Sequence, residues 1–406
     1  MRKGAVAREG YKKTELGWIP GDWEVKRLGE CVRTAPSYGM NAPAVKFNEK
    51  LPVYLRITDI SDDGRFIAET KVSVNHLAYK EFYLEVNDIV FARTGASTGK
   101  TYLYTPFDGL LVYAGFLIKF SINPEILNPV FLKYFTFTNS YWNWVKIMSS
   151  RSGQPGINAQ EYQLIKIPLP PLPEQKKIAK ILSTWDEAIE KLNSYIEAKK
   201  KLKKALMQRL LTGKQRFKEF VVKDGYKKTE LGWIPEDWEV KRLGESINIQ
   251  YGKSQSTLKP GVYPIVGTSG ICGYGNQYLY DGESLVIGRK GTIDNPFFIT
   301  NKFWVIDTAF YVDKFYFCLP YFIFYASRVI NWKSYSEASG VPSLNRETIK
   351  SIKIPLPPLP EQKKIAEILS KADEEIDLLN QELEKLKTQK KGLMQKLLTG
   401  AWRVKL

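Results

Sequence analysis

The sequence predicts an α+β protein, mixed in helix and strand, whose two globular domains are separated by two long antiparallel coiled-coil helices and related by a pseudo-two-fold internal repeat. Three observations lead to this fold class. Two blocks of sequence occur twice, a long heptad pattern follows each copy of the second block, and the stretches between the blocks contain many short apolar runs.

The internal repeat determines the predicted domain organisation. Residues 10–30 return at 225–245 with one change, and residues 166–182 return at 353–369 with one change. The stretches between the blocks differ in length and sequence, so two nearly identical frames surround two divergent inserts of domain size. We interpret the inserts as recognising different targets, the alternative being a recent duplication with drifting loops.

This organisation gives five segments. They are an N-terminal frame segment (1–30), a first insert domain (31–165), a central conserved region (166–245), a second insert domain (246–352) and a C-terminal conserved region (353–406).

Each conserved region is predicted to contain one long helix, at about 174–213 and about 361–400. A proline-rich run precedes each helix and a Thr-Gly pair ends it, which suits the first turn and the C-terminus of a helix. Each apolar stripe must be buried, and we expect the two helices to pair antiparallel, the alternative being a partner subunit. The predicted seam consists of Ile178, Leu182, Trp185, Ile189, Leu192, Ile196, Leu206, Leu210, Ile365, Leu369, Ile376, Leu379, Leu383, Leu386, Leu393 and Leu397.

Composition narrows the class of function. Sixty Lys and Arg residues against 43 Asp and Glu give a net charge of +17, which favours a polyanionic partner, nucleic acid before an acidic membrane surface. A single histidine argues against histidine metal sites and histidine-dependent nucleophilic catalysis, and three widely spaced cysteines indicate neither disulfides nor zinc. Because there is neither a long apolar stretch nor a signal-peptide pattern, we expect a cytoplasmic protein without membrane association.

The inserts carry the candidate DNA contacts. In both, a strand-like run ends in an Arg-x-Gly turn, at Arg93 and Arg289, and both inserts end in a similar Ser-Gly-x-Pro segment before an Asn. Arg can pair with guanine or phosphate, Lys with phosphate and Asn with adenine, although turn chemistry with solvated side chains explains each residue alone equally well. The predicted DNA-binding residues are Arg93, Thr94, Lys100, Arg151, Asn158, Lys253, Arg289, Lys290, Asn345 and Arg346, with Tyr38 and Tyr251 as aromatic neighbours.

Two patterns imitate catalytic motifs. Residues 95–101 look like a phosphate-binding P-loop, but one residue is missing between the glycines and the chain continues as strand and turn. Glu24-x-Lys26 and its copy Glu239-x-Lys241 resemble part of a metal-dependent nuclease site, but no distant carboxylate partner can be identified. We therefore predict no catalytic, cofactor-binding or metal-binding residue in this chain.

The duplicated LPPLPEQKKIA at 169–179 and 356–366, together with Gly-Trp-Ile-Pro-x-x-Trp-Glu at each frame start, resembles the specificity subunit of type I restriction-modification enzymes. The resemblance covers nearly the whole chain. It implies that the inserts are target recognition domains for a bipartite double-stranded DNA site and that the helices are the spacer. It also implies docking of two methylation subunits along the helices, with restriction subunits in the full complex. S-adenosylmethionine, ATP and magnesium would belong to those partners.

The sequence thus predicts a non-catalytic DNA sequence-specificity subunit, in which each recognition domain reads one half of a split target. A protein-assembly scaffold, in which the inserts bind protein, is the first alternative. A nucleotide-dependent nuclease that uses the glycine loop at 95–101 is the second.

Overall fold

The computed structural model describes three stretches of the chain, residues 9–150, 154–338 and 340–405. The chain divides into two compact units. Unit 1 contains the chain up to Leu192 and the segment from Glu382 onward, and unit 2 is Asn193–Gln381. Both units contain helices and strands, and each takes part of two 40-residue helices, so the predicted α+β class is confirmed.

Unit 1 contains twelve strands in its described residues: β1 (Tyr11–Thr14), β2 (Gly17–Pro20), β3 (Glu24–Arg27), β4 (Ser37–Tyr38), β5 (Ala44–Lys46), β6 (Val53–Leu55), β7 (Val72–Val74), β8 (Asp88–Ala92), β9 (Thr101–Leu103), β10 (Leu111–Tyr113), β11 (Leu117–Ser121) and β12 (Lys166–Leu169). Its helices are α1 (Pro129–Phe135), α2 (Asn139–Met148), α3 (Ala159–Gln163) and the first part of α4 (Leu172–Leu211).

Unit 2 follows the same plan and begins with the last part of α4. Its other described strands and helices are β13 (Tyr226–Thr229), β14 (Gly232–Pro235), β15 (Glu239–Arg242), α5 (Leu243–Ser246), β16 (Ile247–Tyr251), β17 (Pro260–Gly267), β18 (Gly270–Gly275), β19 (Tyr280–Asp281), β20 (Ser284–Gly288), β21 (Phe297–Ile299), β22 (Lys302–Val305), β23 (Ala309–Phe315), α6 (Pro320–Arg328), α7 (Arg346–Ser351), β24 (Lys353–Leu356) and the first part of α8 (Leu359–Leu398), whose last part belongs to unit 1.

One sheet has the same strand order in both inserts although their sequences diverge. One four-stranded sheet has the order β4-β11-β8-β9 in unit 1 and β16-β23-β20-β21 in unit 2. A second sheet contains one parallel pair in each unit, β6 with β10 and β17 with β22. The strands β8 and β20 are buried along their whole length, which is why each appears in the sequence as a continuous apolar run.

A two-stranded ladder holds the ends of each insert together. Strand β3 before the first insert pairs antiparallel with β12 after it, and β15 pairs in the same way with β24. An insert therefore leaves and re-enters its frame at neighbouring points, so its interior can diverge without moving the frame.

The units cut across the predicted segments because each long helix is shared. The first half of α4 packs in a core with Trp23 and Phe120, while its end contributes Leu210 and Leu211 to the core around Trp238. Helix α8 does the reverse, with Ile365 and Leu369 in the core of unit 2 and Met394 and Leu397 in that of unit 1.

Both long helices begin and end two residues earlier than predicted. They begin earlier because Pro173 and Pro360 lie in the first turn, where the missing N–H is not needed. They end earlier because Gly213 and Gly400 adopt the left-handed conformation, with φ of 70° and 71°, and cap the helix.

Every predicted seam residue is buried or half-buried. Ion pairs within each unit fix the direction of pairing. In unit 1 Asp186 of α4 contacts Lys390 of α8, and in unit 2 Lys203 of α4 contacts Asp373 of α8. In unit 2 Lys199 also lies 2.6 Å from Glu375, and in unit 1 Glu174 near the start of α4 contacts Arg403 after the end of α8, so in both units residues later in α4 meet residues earlier in α8. Within each unit the two helices therefore run antiparallel.

The duplicated Pro-Glu-Gln motif ties helix, frame and insert together. Glu174 accepts hydrogen bonds from Trp23 Nε1 at 3.1 Å and from Arg403 at 2.7 Å. The next residue, Gln175, accepts a bond from the Asn128 backbone N–H at 2.7 Å and donates to the Pro170 carbonyl.

Unit 2 repeats this arrangement with its own residues. Glu361 accepts bonds from Trp238 Nε1 at 2.9 Å and from Arg216, and Gln362 accepts a bond from the Leu319 N–H at 2.9 Å. Because both side chains of the motif are buried and hydrogen-bonded, its repetition is explained by the packing of the frame.

Candidate nucleic-acid interface

The strand-end arginine of each insert lies against an aromatic ring. The guanidinium carbon of Arg93, just after β8, is 4.8 Å from the centre of the Tyr38 ring. The corresponding distance from Arg289, just after β20, to Tyr251 is 5.4 Å. Both tyrosines end the first strand of the same kind of sheet, so two divergent inserts present an equivalent arginine–tyrosine site.

The backbone around both arginines is held in the same way. The Arg93 N–H donates to the Phe116 carbonyl at 3.0 Å, and its carbonyl accepts from the Ile157 N–H at 2.9 Å. Arg289 makes the matching pair of bonds with Thr308, at 2.8 Å, and Leu344, at 2.9 Å. The similar segments that end the inserts therefore brace the arginine turns.

A Tyr-Gly pair is a further common feature, and the sequence reasoning did not use it. A Cβ atom on Gly39, next to Tyr38, would lie 2.2 Å from the Ala114 carbonyl oxygen. At Gly252, next to Tyr251, the same atom would lie 2.0 Å from the Ile306 carbonyl oxygen. Glycine is required at both places because the backbones approach so closely.

The two sites differ in their second cation. In unit 2 the guanidinium carbon of Arg346 lies 5.1 Å from the Tyr251 ring, so this ring contacts two arginines. Unit 1 has Ala159 at the matching place at the start of α3, and its N–H donates to the Tyr38 hydroxyl at 3.1 Å. In unit 1 a cleft of about 650 Å³ opens beside Arg93 and is also lined by the exposed ring of Phe116.

The lysines and the threonine among the predicted DNA contacts differ in their exposure and in their contacts. Lys253 and Lys290 are exposed, next to Tyr251 and Arg289 in the chain. Lys100 is half-buried and pairs with Asp62 at 2.7 Å, so a DNA phosphate would have to compete with this carboxylate. Thr94 is half-buried and its backbone bridges to Gly156. The predicted contact Arg151 lies outside the described residues.

Asn158 and Asn345, which the sequence predicts as DNA contacts, each cap a helix. The Asn158 side-chain oxygen accepts from the Glu161 N–H at 2.9 Å and caps α3. The Asn345 oxygen accepts from the Thr348 N–H at 2.7 Å and caps α7, while its amide nitrogen donates to Glu337. Bidentate pairing with adenine uses the same amide groups and would compete with these bonds, so the DNA contact of both residues stays a prediction.

The glycine loop at 95–101 does not have the geometry of a phosphate cradle. It forms a short 3-10 turn followed by strand β9, not by a helix. The N–H groups of Gly95, Thr98 and Gly99 already donate to the carbonyl groups of Pro155, Gly95 and Ala92. A P-loop needs such groups free to bind phosphate.

No cluster of three metal-ligating side chains occurs among the residues that the structure describes. Glu24 and Glu239 lie on frame strands, each with the lysine two residues later as its ion-pair partner. Of the helices in the described part of the chain, none combines the length and apolar character that a membrane crossing requires.

Comparison with known proteins points to one family. The sequence model described as the type I restriction modification DNA specificity domain matches residues 20–200 and 235–388. The MjaVIII specificity subunit of a type I restriction enzyme from Methanocaldococcus jannaschii is 31% identical over 436 residues, which covers 98% of this chain and 97% of that protein.

Two solved structures share the fold. The S subunit of a type I restriction-modification system from M. genitalium superposes with a TM-score of 0.58 at 19% identity, covering 94% of this chain and 96% of that one. A chain from structural work on complex assembly in the type I R-M system gives a TM-score of 0.55 at 17% identity, covering 95% and 99%.

Proposed function

This chain belongs to the type I restriction-modification DNA specificity family, and from that membership we propose that each of its units reads one half of a split DNA target. It is a DNA specificity subunit of a type I restriction-modification system. The observation that carries the proposal is the pair of equivalent arginine–tyrosine sites on two divergent inserts within repeated frames. The two sites have equivalent scaffolds but different neighbouring residues. This arrangement suits two domains that each read a different DNA sequence.

The reading step is assigned to the guanidinium groups of Arg93 and Arg289. A guanidinium against an aromatic face is held in a narrow range of orientations while its outer N–H groups stay available. Such a group can donate two hydrogen bonds to one guanine edge in the major groove. The exposed Lys253 and Lys290 would contact phosphates and position the second insert on the duplex without reading sequence.

The chemistry of the complex is assigned to other subunits. We expect methylation subunits to bind exposed positions of α4, α8 and the frames, with restriction subunits in the full complex. S-adenosylmethionine, ATP and magnesium would be bound by those partners, and the complex would act in the cytoplasm. The occupied N–H groups of the 95–101 loop support a chain without nucleotide chemistry of its own.

The test is adenine methylation mapping of DNA from cells that express this chain with its cognate methylation subunits. A split motif should appear that is absent when the chain is omitted. The matched control is the double variant Arg93→Ala, Arg289→Ala, which should assemble but lose the motif. Assembly of the unmodified chain with no chain-dependent methylation would favour the scaffold function instead.

A further inference from the structure

Unit 1 contains a cavity of about 230 Å³ beside α1, the first half of α4 and the C-terminal part of α8. None of the predicted DNA-binding residues that the structure describes lines it. Its floor includes apolar groups such as Ile189 and Met394, and two aspartates contribute to its wall. Five cationic side chains line it: Arg65, Lys133, Lys387, Lys390 and Lys391.

The aspartates are already engaged by some of these cations. Asp186 accepts a hydrogen bond from the Tyr134 hydroxyl at 2.6 Å and pairs with Lys390. Burial alone would raise the pKa of the Asp186 carboxyl, but these two bonds outweigh burial and hold its pKa below the ordinary value. This carboxylate is therefore ionised and committed to Tyr134 and Lys390.

The other acidic groups in or near the cavity also form ion pairs with its cationic side chains. Asp63 lies 2.9 Å from Arg65, which also contacts Glu190 at 3.3 Å, and Lys387 lies 2.8 Å from Glu384. Among the described residues, Lys133 and Lys391 have no hydrogen bond or ion pair with an acidic group. The cavity thus holds cationic groups in excess of its carboxylates.

Lys133 is the unusual member of the set. It lies half-buried on α1, and burial lowers the pKa of its amine; Asp186 and Asp63 oppose that effect, while Lys390 and Arg65 add to it. A desolvated ammonium group close to two further cations is unfavourable unless an anion joins it.

Unit 2 shows that the fold does not need a cation here. Tyr325 occupies the place of Tyr134, donating to Asp373 at 2.8 Å, and Lys203 completes the same triad. The residue before Tyr325 is Phe324, where unit 1 has Lys133 before Tyr134. Phe324 packs on Phe298 with ring centres 5.8 Å apart. A lysine at the matching place in unit 1 therefore needs an explanation other than packing.

We propose that this cavity of unit 1 binds one phosphate group, held by Lys133 and Lys391 with Lys387 at the rim. Lysine ammonium groups bind phosphate as point charges, and several of them surround a multiply charged group better than they surround one carboxylate. The phosphate can come from the DNA backbone, which rests on the proposed function, or from free phosphate.

The test compares the full chain, assembled with its methylation subunits, with its Lys133→Phe variant. This substitution installs the residue that unit 2 already accommodates, so we expect the variant to fold. Lys80→Met, at an exposed position of the first insert that is not among the predicted DNA contacts, is the control for loss of one positive charge. Lys391→Met is a second variant, since that side chain is exposed on α8 and its loss leaves no cavity.

Two measurements identify the source of the phosphate. If it belongs to DNA, the negative slope of log binding constant against log salt concentration should become less steep by about 0.9 in Lys133→Phe and in Lys391→Met, relative to the control. The methylated sequence should not change, which separates this result from a failure of the proposed function. If the phosphate is free, inorganic phosphate should raise the melting temperature of the full chain, relative to chloride at equal ionic strength, and both variants should lose that increase.

The proposal is overturned if both variants keep the salt slope and the phosphate-dependent melting temperature of the control. Weaker assembly with the methylation subunits, without either phosphate effect, would likewise overturn it and indicate an acidic protein contact. The phosphate titration needs no methylation activity, so it remains decisive even if methylation mapping fails.

Discussion

The arginines at the strand ends of the inserts have a fixed backbone position, and their side chains lie against aromatic rings. Arg93 is anchored through its backbone to Phe116 and Ile157, and its side chain rests on Tyr38. The ring restricts the orientation of the side chain and leaves its outer N–H groups available for other hydrogen bonds. Arg289 differs, because one of its N–H groups also donates to the Asp307 carbonyl at 3.1 Å.

The Arg93→Lys variant separates charge from geometry. It keeps one positive charge but loses the planar fork, so we expect discrimination at one base of one half-site to fall by about 1–3 kcal/mol, roughly 5- to 150-fold. The salt dependence of DNA binding should stay nearly the same. Competition binding with single base changes in each half-site measures both effects.

Its control is Tyr38→Phe, which keeps the ring and loses only the bond from Ala159. This variant should retain base discrimination. Equal losses in both half-sites for Arg93→Lys would contradict a reader confined to the first insert.

Asparagines near the same sites show the limit of reasoning from residue type. Asn158 and Asn345 follow the pattern of a base reader as well as that of a helix cap, and the sequence does not separate the two roles. The hydrogen bonds from the Glu161 and Thr348 N–H groups show that both side chains cap a helix, while a contact with DNA stays a prediction.

At the scale of the elements, the end of each long helix is a fixed junction. Gly400 follows α8 with φ of 71°, and a Cβ atom there would lie 2.3 Å from Pro20 Cδ. Gly213 follows α4 in the same conformation, and a Cβ atom there would lie 2.4 Å from Pro235 Cδ. Each helix therefore ends where it can dock against a frame proline.

Gly400→Ala should be strongly destabilising. The left-handed conformation alone costs about 1–2 kcal/mol for an L side chain, and the clash with Pro20 adds to that cost. Gly392→Ala, in the middle of α8 with open space around its Cα, should instead stabilise by about 0.5–1 kcal/mol. Urea denaturation of the full chain measures both, and equal effects would refute the junction.

The helix pair should also respond to acid through Asp186. Its folded pKa is held below the ordinary value of 3.8 by Lys390 and Tyr134. The resulting stability is complete above the unfolded pKa and is lost as the pH falls through the folded pKa.

The matching measurement is the free energy of unfolding between pH 6 and pH 3 for the unmodified chain and for Asp186→Asn. The variant should be less stable at pH 6, and the difference should shrink toward low pH. A difference that is constant over this range would exclude an ionised Asp186 as its cause.

At the scale of the whole molecule, each unit combines one frame, one insert and parts of both long helices. Each insert packs in its own core, around Phe120 in unit 1 and Phe310 in unit 2. Because the two-stranded ladders hold both ends of an insert on its frame, a foreign insert with the same ladder should be tolerated.

We therefore expect replacement of residues 31–165 by the corresponding insert of a related specificity subunit to change one half of the methylated motif and leave the other half unchanged. Methylation mapping of the hybrid measures this. The reciprocal exchange of residues 246–352 is the control and should change only the other half. A hybrid in which both halves change would contradict independent readers.

The sequence by itself determined the repeat, the two long helices and the divergent inserts, because these features depend on local patterns: proline and glycine at helix ends, heptad spacing along helices, and near-identity between blocks. It also placed Arg93 and Arg289 at strand ends. It missed the strand order that one sheet of both inserts shares, since strand order arises from contacts between distant residues.

Only the tertiary structure decided which side chains meet. It placed Tyr38 and Tyr251 against the arginines, showed that Asn158 and Asn345 cap helices, and left Lys133 without an ion pair among the described residues, at the place where unit 2 has Phe324. The physical reason is that a side chain's role depends on its neighbours in space, and these come from parts of the chain that local patterns do not connect.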